Sequence, residues 1–191
     1  VPCGSARTGR SRGSGLVRPR AELDRYYQLP RLFPTAAHEN YGVVLTDAGS
    51  HFEFCAIATD LLPNLHLLDT GKFFARYTYE AVDSGAAQGS LDFGTSDDVV
   101  IDGYRRLDNI TDETLTAYRA WYGDDVTKDG IFAFVYGLLH SPDYRARFAA
   151  DLKRSLPRIP RVEAGDFAAF AEAGQRLLDL HIGYEASSRG R

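Results

Sequence analysis

Residues 131–161, IFAFVYGLLHSPDYRARFAADLKRSLPRIPR, constrain the fold more than any other part of this 191-residue chain. Ile131, Phe134, Val135, Leu138 and Leu139 recur at the i, i+3, i+4, i+7, i+8 spacing of a helix that buries one face. Thr127 can cap its start through the side-chain hydroxyl. Ser141-Pro142-Asp143 ends that helix and opens another: serine is a favoured N-cap, and proline fits the first helical position, where a missing N–H costs nothing. On the second helix Tyr144, Phe148 and Leu152 share one face, while Arg145, Arg147, Asp151, Lys153 and Arg154 mostly line the rest. Pro157 terminates it, because the residue before a proline is pushed out of the α region. Pro157-Arg158-Ile159-Pro160-Arg161 then reads as a stiff extended arm with its arginines displayed.

Upstream, the hydrophobic period shortens towards two. Tyr41–Thr46 reads as a strand and Asp47–Ser50 as a turn; Phe52, Phe54 and Ala56, alternating with Glu53 and Cys55, complete a hairpin. Leu65–Leu68 and Phe73–Tyr79 read as further strands, and Val99–Ile101 as an edge strand. Asp83–Asp98 carries Gly85, Gly89 and Gly94 and is expected to be a long disordered loop. From Asn109 the pattern is helical. Asn109 or Thr111 caps a helix with Asp112 and Glu113 in its first turn, as the helix dipole favours, and Leu115, Tyr118 and Tyr122 inward. A last helix starts near Asp166 with Phe167, Phe170, Gly174, Leu177, Leu178 and His181 on one stripe, and Gly183 is its stop. Gly174 inside that stripe predicts a close approach of two backbones.

The expected fold class is α+β: a β-rich N-terminal lobe, residues 21–104, packed on a bundle of about four helices, residues 105–186. A disordered basic tail, 1–20, and a short polar tail, 187–191, flank it. The absence of methionine reads as a fragment of something longer.

The net charge of −4 is unevenly spread. Arg7, Arg10, Arg12, Arg18 and Arg20 lie in the tail, leaving 17 basic residues against 26 acidic ones and a charge of −9 on the remainder. A freestanding nucleic-acid binder shows a basic footprint, so any nucleic-acid contact here must come from a local patch. No apolar run approaches the roughly 20 residues that span a bilayer, and a cytoplasmic site is expected. Cys3 and Cys55 are too few and isolated for a disulfide framework or a zinc site.

Catalytic spacing motifs fail. Gly71-Lys72 is followed by Phe73, which breaks the phosphate-loop pattern, and GxGxxG, HExxH and GxSxG are absent. Five histidines are scattered without ligand spacing. His140, at a helix end, is expected to favour the C-terminal carbonyls in its positive form. Its pairing with Asp143 in a hydrolase is the weakest of the functional readings. The basic and aromatic groups carry more weight: Lys72, Arg76 and Tyr77 on or beside one strand, Arg105 and Arg106 after a strand edge, and Arg158 on the proline arm. Arginine suits bidentate recognition of guanine or phosphate, and tyrosine can stack or hydrogen-bond. Arg76 and Thr78 are expected on one strand face, Tyr77 and Tyr79 on the other.

From Tyr27 onward the chain resembles the C-terminal target-recognition (specificity) region of Type ISP restriction–modification enzymes. The resemblance rests on Tyr27-Gln-Leu-Pro-Arg-Leu-Phe-Pro34, Leu62-Pro-Asn-Leu-His66, Tyr77-Thr-Tyr79 and Asn109-Ile-Thr111. It continues through Trp121-Tyr-Gly123, Tyr136–Arg145, Leu156–Pro160 and the Gly174…His181…Glu185 pattern. It departs at residues 1–20, and at Phe74-Ala75, where the family tends to have Phe-Pro.

The resemblance implies a non-catalytic module that recognises double-stranded DNA. Its parent would join it to an upstream adenine methyltransferase domain and to a nuclease and translocase, using S-adenosylmethionine, ATP and magnesium. Basic surfaces elsewhere in such a parent would supply most phosphate contacts. The base-contacting candidates Lys72, Arg76, Tyr77, Arg105, Arg106 and Arg158 come from side-chain chemistry, not from the resemblance. The alternative is a truncated remnant, or a protein-interaction module without DNA binding.

Overall fold

The computed structural model describes residues 29–63, 67–82 and 99–184. The expected basic tail, the loop 83–98 and the tail 187–191 lie outside the described residues, as do Leu65 and His66. In chain order the elements are α1 (Leu29–Leu32), β1 (Gly42–Leu45), β2 (Ala56–Thr59), β3 (Lys72–Ala75), β4 (Tyr77–Ala81), β5 (Val100–Ile101) and β6 (Tyr104–Asp108). The helices α2 (Asp112–Tyr122), α3 (Lys128–His140), α4 (Pro142–Arg147), α5 (Ala149–Leu152) and α6 (Ala164–Ile182) follow. The class is α+β, as the periodicities require. Two compact units interleave in sequence: one takes the chain up to Asn40 and Tyr77–Asn109, the other Tyr41–Arg76 and the chain from Ile110 onward.

The second unit is built around α3. No charged residue occurs between Gly130 and Leu139, so no face of that segment favours water, and Ile131, Ala133, Phe134, Tyr136, Gly137, Leu138 and Leu139 are all buried. Thr127 caps its start by accepting from the Gly130 N–H at 3.0 Å. Ser141 accepts from the Tyr144 N–H at 3.3 Å to start α4, with Pro142 in its first turn. The continuation breaks at Phe148, where φ is −108°, so one expected helix becomes α4 and α5. Tyr144, Phe148 and Leu152 still pack together on the core.

Gly137 on α3 and Gly174 on α6 let these helices touch backbone to backbone. A Cβ on Gly174 would overlap the Ala133 carbonyl and lie 2.8 Å from the Gly137 nitrogen; one on Gly137 would overlap the Phe170 carbonyl. The Tyr122 and Phe167 rings stack at 4.3 Å beside this crossing, with Phe134 fully buried against Phe167. Burying a phenylalanine stabilises by about 2–3 kcal/mol. The crossing therefore decides whether the aromatic core closes.

One three-stranded antiparallel sheet, order β2-β1-β3, belongs to this unit. Its centre, β1, reads Gly-Val-Val-Leu because both faces are covered. Val43 and Leu45, with Ala56 and Ala58, join the helical core, whereas Val44 packs with Cys55 and Leu68 in a smaller cluster on the other face. The hairpin partner starts at Ala56 rather than Phe52, and Phe52 is exposed. Leu67 and Leu68 form a turn, not a strand, although Leu68 is buried.

The first unit holds a separate antiparallel sheet, order β4-β6-β5. The expected single strand Phe73–Tyr79 is thus two strands in two sheets, interrupted at Arg76. Asp102 and Gly103, with φ of 45° and 79°, make the two-residue reversal between β5 and β6; Asp-Gly tolerates the left-handed backbone this turn needs. Asn40 fastens the unit: its amide donates to the carbonyls of Leu32 and Tyr77 at 2.9 Å each and accepts from the Tyr77 N–H at 3.2 Å. Buried His38 lies between the Tyr79 and Tyr104 rings and bonds the Ile101 carbonyl at 3.1 Å through Nε2. A carbonyl only accepts, so Nε2 is the donor there, and Nδ1 hydrogen-bonds the Thr35 hydroxyl at 2.8 Å. Among the described residues, no helix is long and apolar enough to cross a membrane.

Gly174→Ala should cost about 3 kcal/mol or more, because both atoms it meets are backbone and cannot rotate away. Gly165→Ala, whose Cβ would meet nothing within 4 Å, should instead stabilise the same helix by about 0.5 kcal/mol. Urea denaturation of the two variants measures both signs.

Candidate nucleic-acid interface

The six base-contacting candidates divide between the units. Tyr77, Arg105 and Arg106 belong to the first; Lys72, Arg76 and Arg158 belong to the second. Strand alternation sorts the first set further. Arg106 and Tyr77 lie on one face of the sheet and Arg105 on the opposite one, so the adjacent arginines cannot address a single surface patch.

Arg106 stands opposite Tyr79 and one step diagonally from Tyr77. Its guanidinium carbon lies over the Tyr77 ring, 4.4 Å from the centroid, a cation–π arrangement that restrains both groups. Both are half-buried, so an outer edge of each is accessible. Tyr79 beside them is structural: it is 2% exposed and donates to the Glu39 carbonyl at 2.6 Å. Burial raises its phenol pKa, with the Arg106 charge pulling the other way.

Arg105 faces Glu80 across the strands, and Glu80 also meets Arg31 at 3.5 Å.

Lys72 lies at the edge strand β3 and pairs with Asp47 at 3.0 Å, half-exposed. The hydrogen bond from Lys72 is the main reason the Asp47 carboxyl is held below its usual range. Arg76 is different. Only 3% exposed, it directs Nε at Asp129 Oδ1 over 2.8 Å, while its own N–H donates to the Tyr41 carbonyl at 2.7 Å. Asp129 lies in the first turn of α3, where an anion is doubly favoured. The expected pairing of Arg76 and Thr78 on one face fails because the chain bends at Arg76 between two sheets.

Arg158 is exposed on the arm, whose carbonyl at that residue accepts from Tyr144 Oη at 2.8 Å. Trp121, which periodicity leaves as an ordinary helix residue, is 43% exposed and lies 5.2 Å from the Arg161 guanidinium. The sequence signal for that pair was only the isolated tryptophan.

His140 is not the charged helix cap that its position suggests. Arg145 takes that place, donating from Nε to the Leu139 carbonyl at 2.6 Å and reaching His140 Nδ1 at 3.4 Å. Burial first, then the Arg145 charge, push His140 from 6.5 down to about 4. Tyr136, held up near 12 chiefly by burial, stays protonated; it accepts from the Ala58 N–H at 3.0 Å and hydrogen-bonds His181. This part-buried network joins β2, α3 and α6.

The two antiparallel sheets, the helix pair and the displayed basic arm define a small α+β module with cationic side chains at its surface and no assembled catalytic group among the described residues. Residues 17–190 match the family described as the Type ISP C-terminal specificity domain, and the chain belongs to that family. Among solved structures it is similar to the DrdV–DNA complex determined by cryo-electron microscopy, at 32% identity and a TM-score of 0.66 over 83% of this chain and 14% of that one. It is also similar to the ATP-dependent Type ISP restriction–modification enzyme LlaBIII bound to DNA, at 25% identity and a TM-score of 0.68, covering 87% of this chain and 10% of that one. A nuclease-deletion mutant of the Type ISP enzyme LlaGI with a DNA substrate mimic aligns at 28% identity and a TM-score of 0.57, over 83% and 11% respectively. This chain therefore spans only a small part of the length of each. No curated protein matches it.

Asp129→Asn should lower stability by about 1–3 kcal/mol, since the buried Arg76 charge loses its anionic neighbour while Asp129 itself is largely solvated; chemical denaturation checks it. His140 gives a pH signature. Its folded pKa is depressed, so the unfolded chain binds the proton first, and stability is full above 6.5 and declines as pH falls towards about 4. The loss should be on the order of 1 kcal/mol after allowing for partial solvent exposure. Melting curves across that range should be steeper for the natural chain than for His140→Gln, with His181, also depressed by burial, retaining part of the slope.

Proposed function

We propose that this chain is the DNA target-recognition module of a restriction–modification enzyme, fixing where other domains of the same polypeptide methylate adenine and cleave. The observation that carries this reading is the match of residues 17–190 to a specificity-domain family. Its similarity to enzymes solved with DNA supports the partner.

In this reading Arg106 and Tyr77 are the base-contacting pair. A guanidinium already ordered on an aromatic ring loses little freedom on binding, and its fork of N–H donors matches the O6 and N7 acceptors of guanine. Arg105, on the other sheet face, and Lys72, paired with Asp47, serve as weaker phosphate contacts. Arg76 serves as scaffold. Arg158 acts from the arm.

The chain performs no chemistry of its own. S-adenosylmethionine, ATP and magnesium belong to the other domains of the parent. Among the described residues, no three His, Cys, Asp or Glu side chains are grouped to hold a metal ion. The setting is the cytoplasm, where such an enzyme meets DNA.

Selection of bound duplexes from a randomised pool by the full chain tests this. Enrichment of a short motif is expected. Arg106→Ala should relax one position of that motif and cost about 1–3 kcal/mol on the selected duplex, leaving the fold intact. A pool that returns no motif removes the recognition role.

A further inference from the structure

We propose that the proline arm is a phosphate-holding track, in which Arg154, Arg158 and Arg161, with Trp121 as a platform, grip the DNA backbone without reading bases. The proposal deepens the recognition reading above and shares its partner, but it assigns a separate site with a separate signature.

The arm is an extended segment without regular secondary structure that is nevertheless pinned. Tyr144 Oη donates to the Arg158 carbonyl at 2.8 Å. Tyr122 Oη takes both polar groups of Val162, donating to its carbonyl at 3.3 Å and accepting from its N–H at 3.1 Å. Ile159 and Val162 pack on the core, and Pro157 and Pro160 fix their own φ. The side chains between these anchors, Arg158 and Arg161, are exposed, as is Arg154 just before the arm. Three residues of extended chain separate Arg158 from Arg161 by about 9–10 Å. The backbone is ordered in advance and the cations are held apart on it.

Their surroundings distinguish them from the paired cations of the unit. Lys72, Arg76, Lys128 and Arg176 each meet a carboxylate, whereas Arg154, Arg158 and Arg161 meet none among the described residues. Three exposed guanidiniums on a stiffened backbone, in a body that is acidic overall, repel one another and gain from a polyanion. Arg161 has an additional restraint. Its guanidinium lies 5.2 Å from the ring centroid of Trp121, an aromatic left 43% exposed. A cation–π contact restrains the guanidinium without neutralising its charge, which stays available to an anion. The side chains of Pro157–Arg161 include no hydrogen-bond acceptor of the kind that reading a cytosine or adenine edge would call on. A regular row of phosphates is the ligand that unshared cations on a rigid backbone fit.

The test uses the full chain and the triple variant R154A/R158A/R161A, with fluorescence anisotropy on two labelled duplexes, one returned by the pool selection and one of shuffled sequence, over a salt series. Affinity should fall by roughly tenfold on both duplexes, and the slope of log affinity against log salt should shrink by about one for each phosphate no longer neutralised. The ratio between the duplexes should not change. Trp121→Leu should give a smaller drop of the same kind, with its melting curve confirming an intact fold. If the natural chain prefers the selected duplex and the triple variant binds as well as it does, or loses preference instead of affinity, the track is wrong and recognition stands. If the natural chain binds both duplexes equally while the triple variant loses affinity on both, the track stands and the recognition reading falls. No binding to either duplex overturns both.

Discussion

The contact between Gly137 and Gly174 holds the larger unit together. Two helices whose backbones touch cannot slide or rotate by even one side chain without collision, and that fixes the azimuth of α3. Everything else in the unit is hung on that azimuth. It sends Phe134 into the Tyr118, Phe167 and Phe170 rings, and it delivers Tyr136 Oη to the Ala58 N–H on the sheet. Through the same core it sets Tyr122, on α2, and Tyr144, on α4, whose phenols anchor the arm. The arm is remote from the crossing in sequence yet inherits its rigidity.

The same packing divides the arginines into kinds that the sequence shows as equals. Arg76 and Arg145 point inward and satisfy Asp129 and the Leu139 carbonyl; their charge is part of the fold. Arg31 shares a carboxylate, Glu80, in the smaller unit. Arg106 is restrained by a ring rather than by an acid, and the arm residues by their backbone. Cations neutralised by a carboxylate offer little to a ligand, since a new anion must displace the old one. Among the described residues, Arg106 and the arm arginines are cations left without a carboxylate, and they reconcile an acidic chain with the polyanionic partner proposed for it.

Local signals in the sequence were readable and proved right. Thr111, Thr127 and Ser141 cap helices through hydrogen bonds that reach only three residues, so the information lies within a single turn. Gly174 announced the close crossing because a glycine in an apolar stripe has few other uses, although its partner Gly137 gave no such sign. The Asp102-Gly103 reversal was also present in the sequence and went unread beside the glycine-rich loop that precedes it. What escaped was non-local. Phe73–Tyr79 has the composition of one strand, and only the Tyr41 carbonyl and Asp129, 35 and 53 positions away from Arg76, decide that the chain bends there. His140 was misread for a nearer reason: Arg145, six positions past Leu139 and across the Ser141 corner, occupies the carbonyl that a protonated histidine was expected to favour.

The acidic surround has a physical role if the arm and the Arg106–Tyr77 pair are the contacts. A module that was basic throughout would adhere to DNA in many orientations, each worth a similar counterion release, and the base-contacting pair would seldom be presented. Repulsion from carboxylates disfavours those encounters. It leaves productive only the orientations that bring unshared cations to the backbone, so charge selects geometry before any base is touched. With so few of the described cations unshared, such a module would bind weakly by itself. In the proposed reading, where it is one part of a far longer polypeptide, tethering raises its effective concentration, and discrimination then depends on the difference between sites rather than on the strength of the grip.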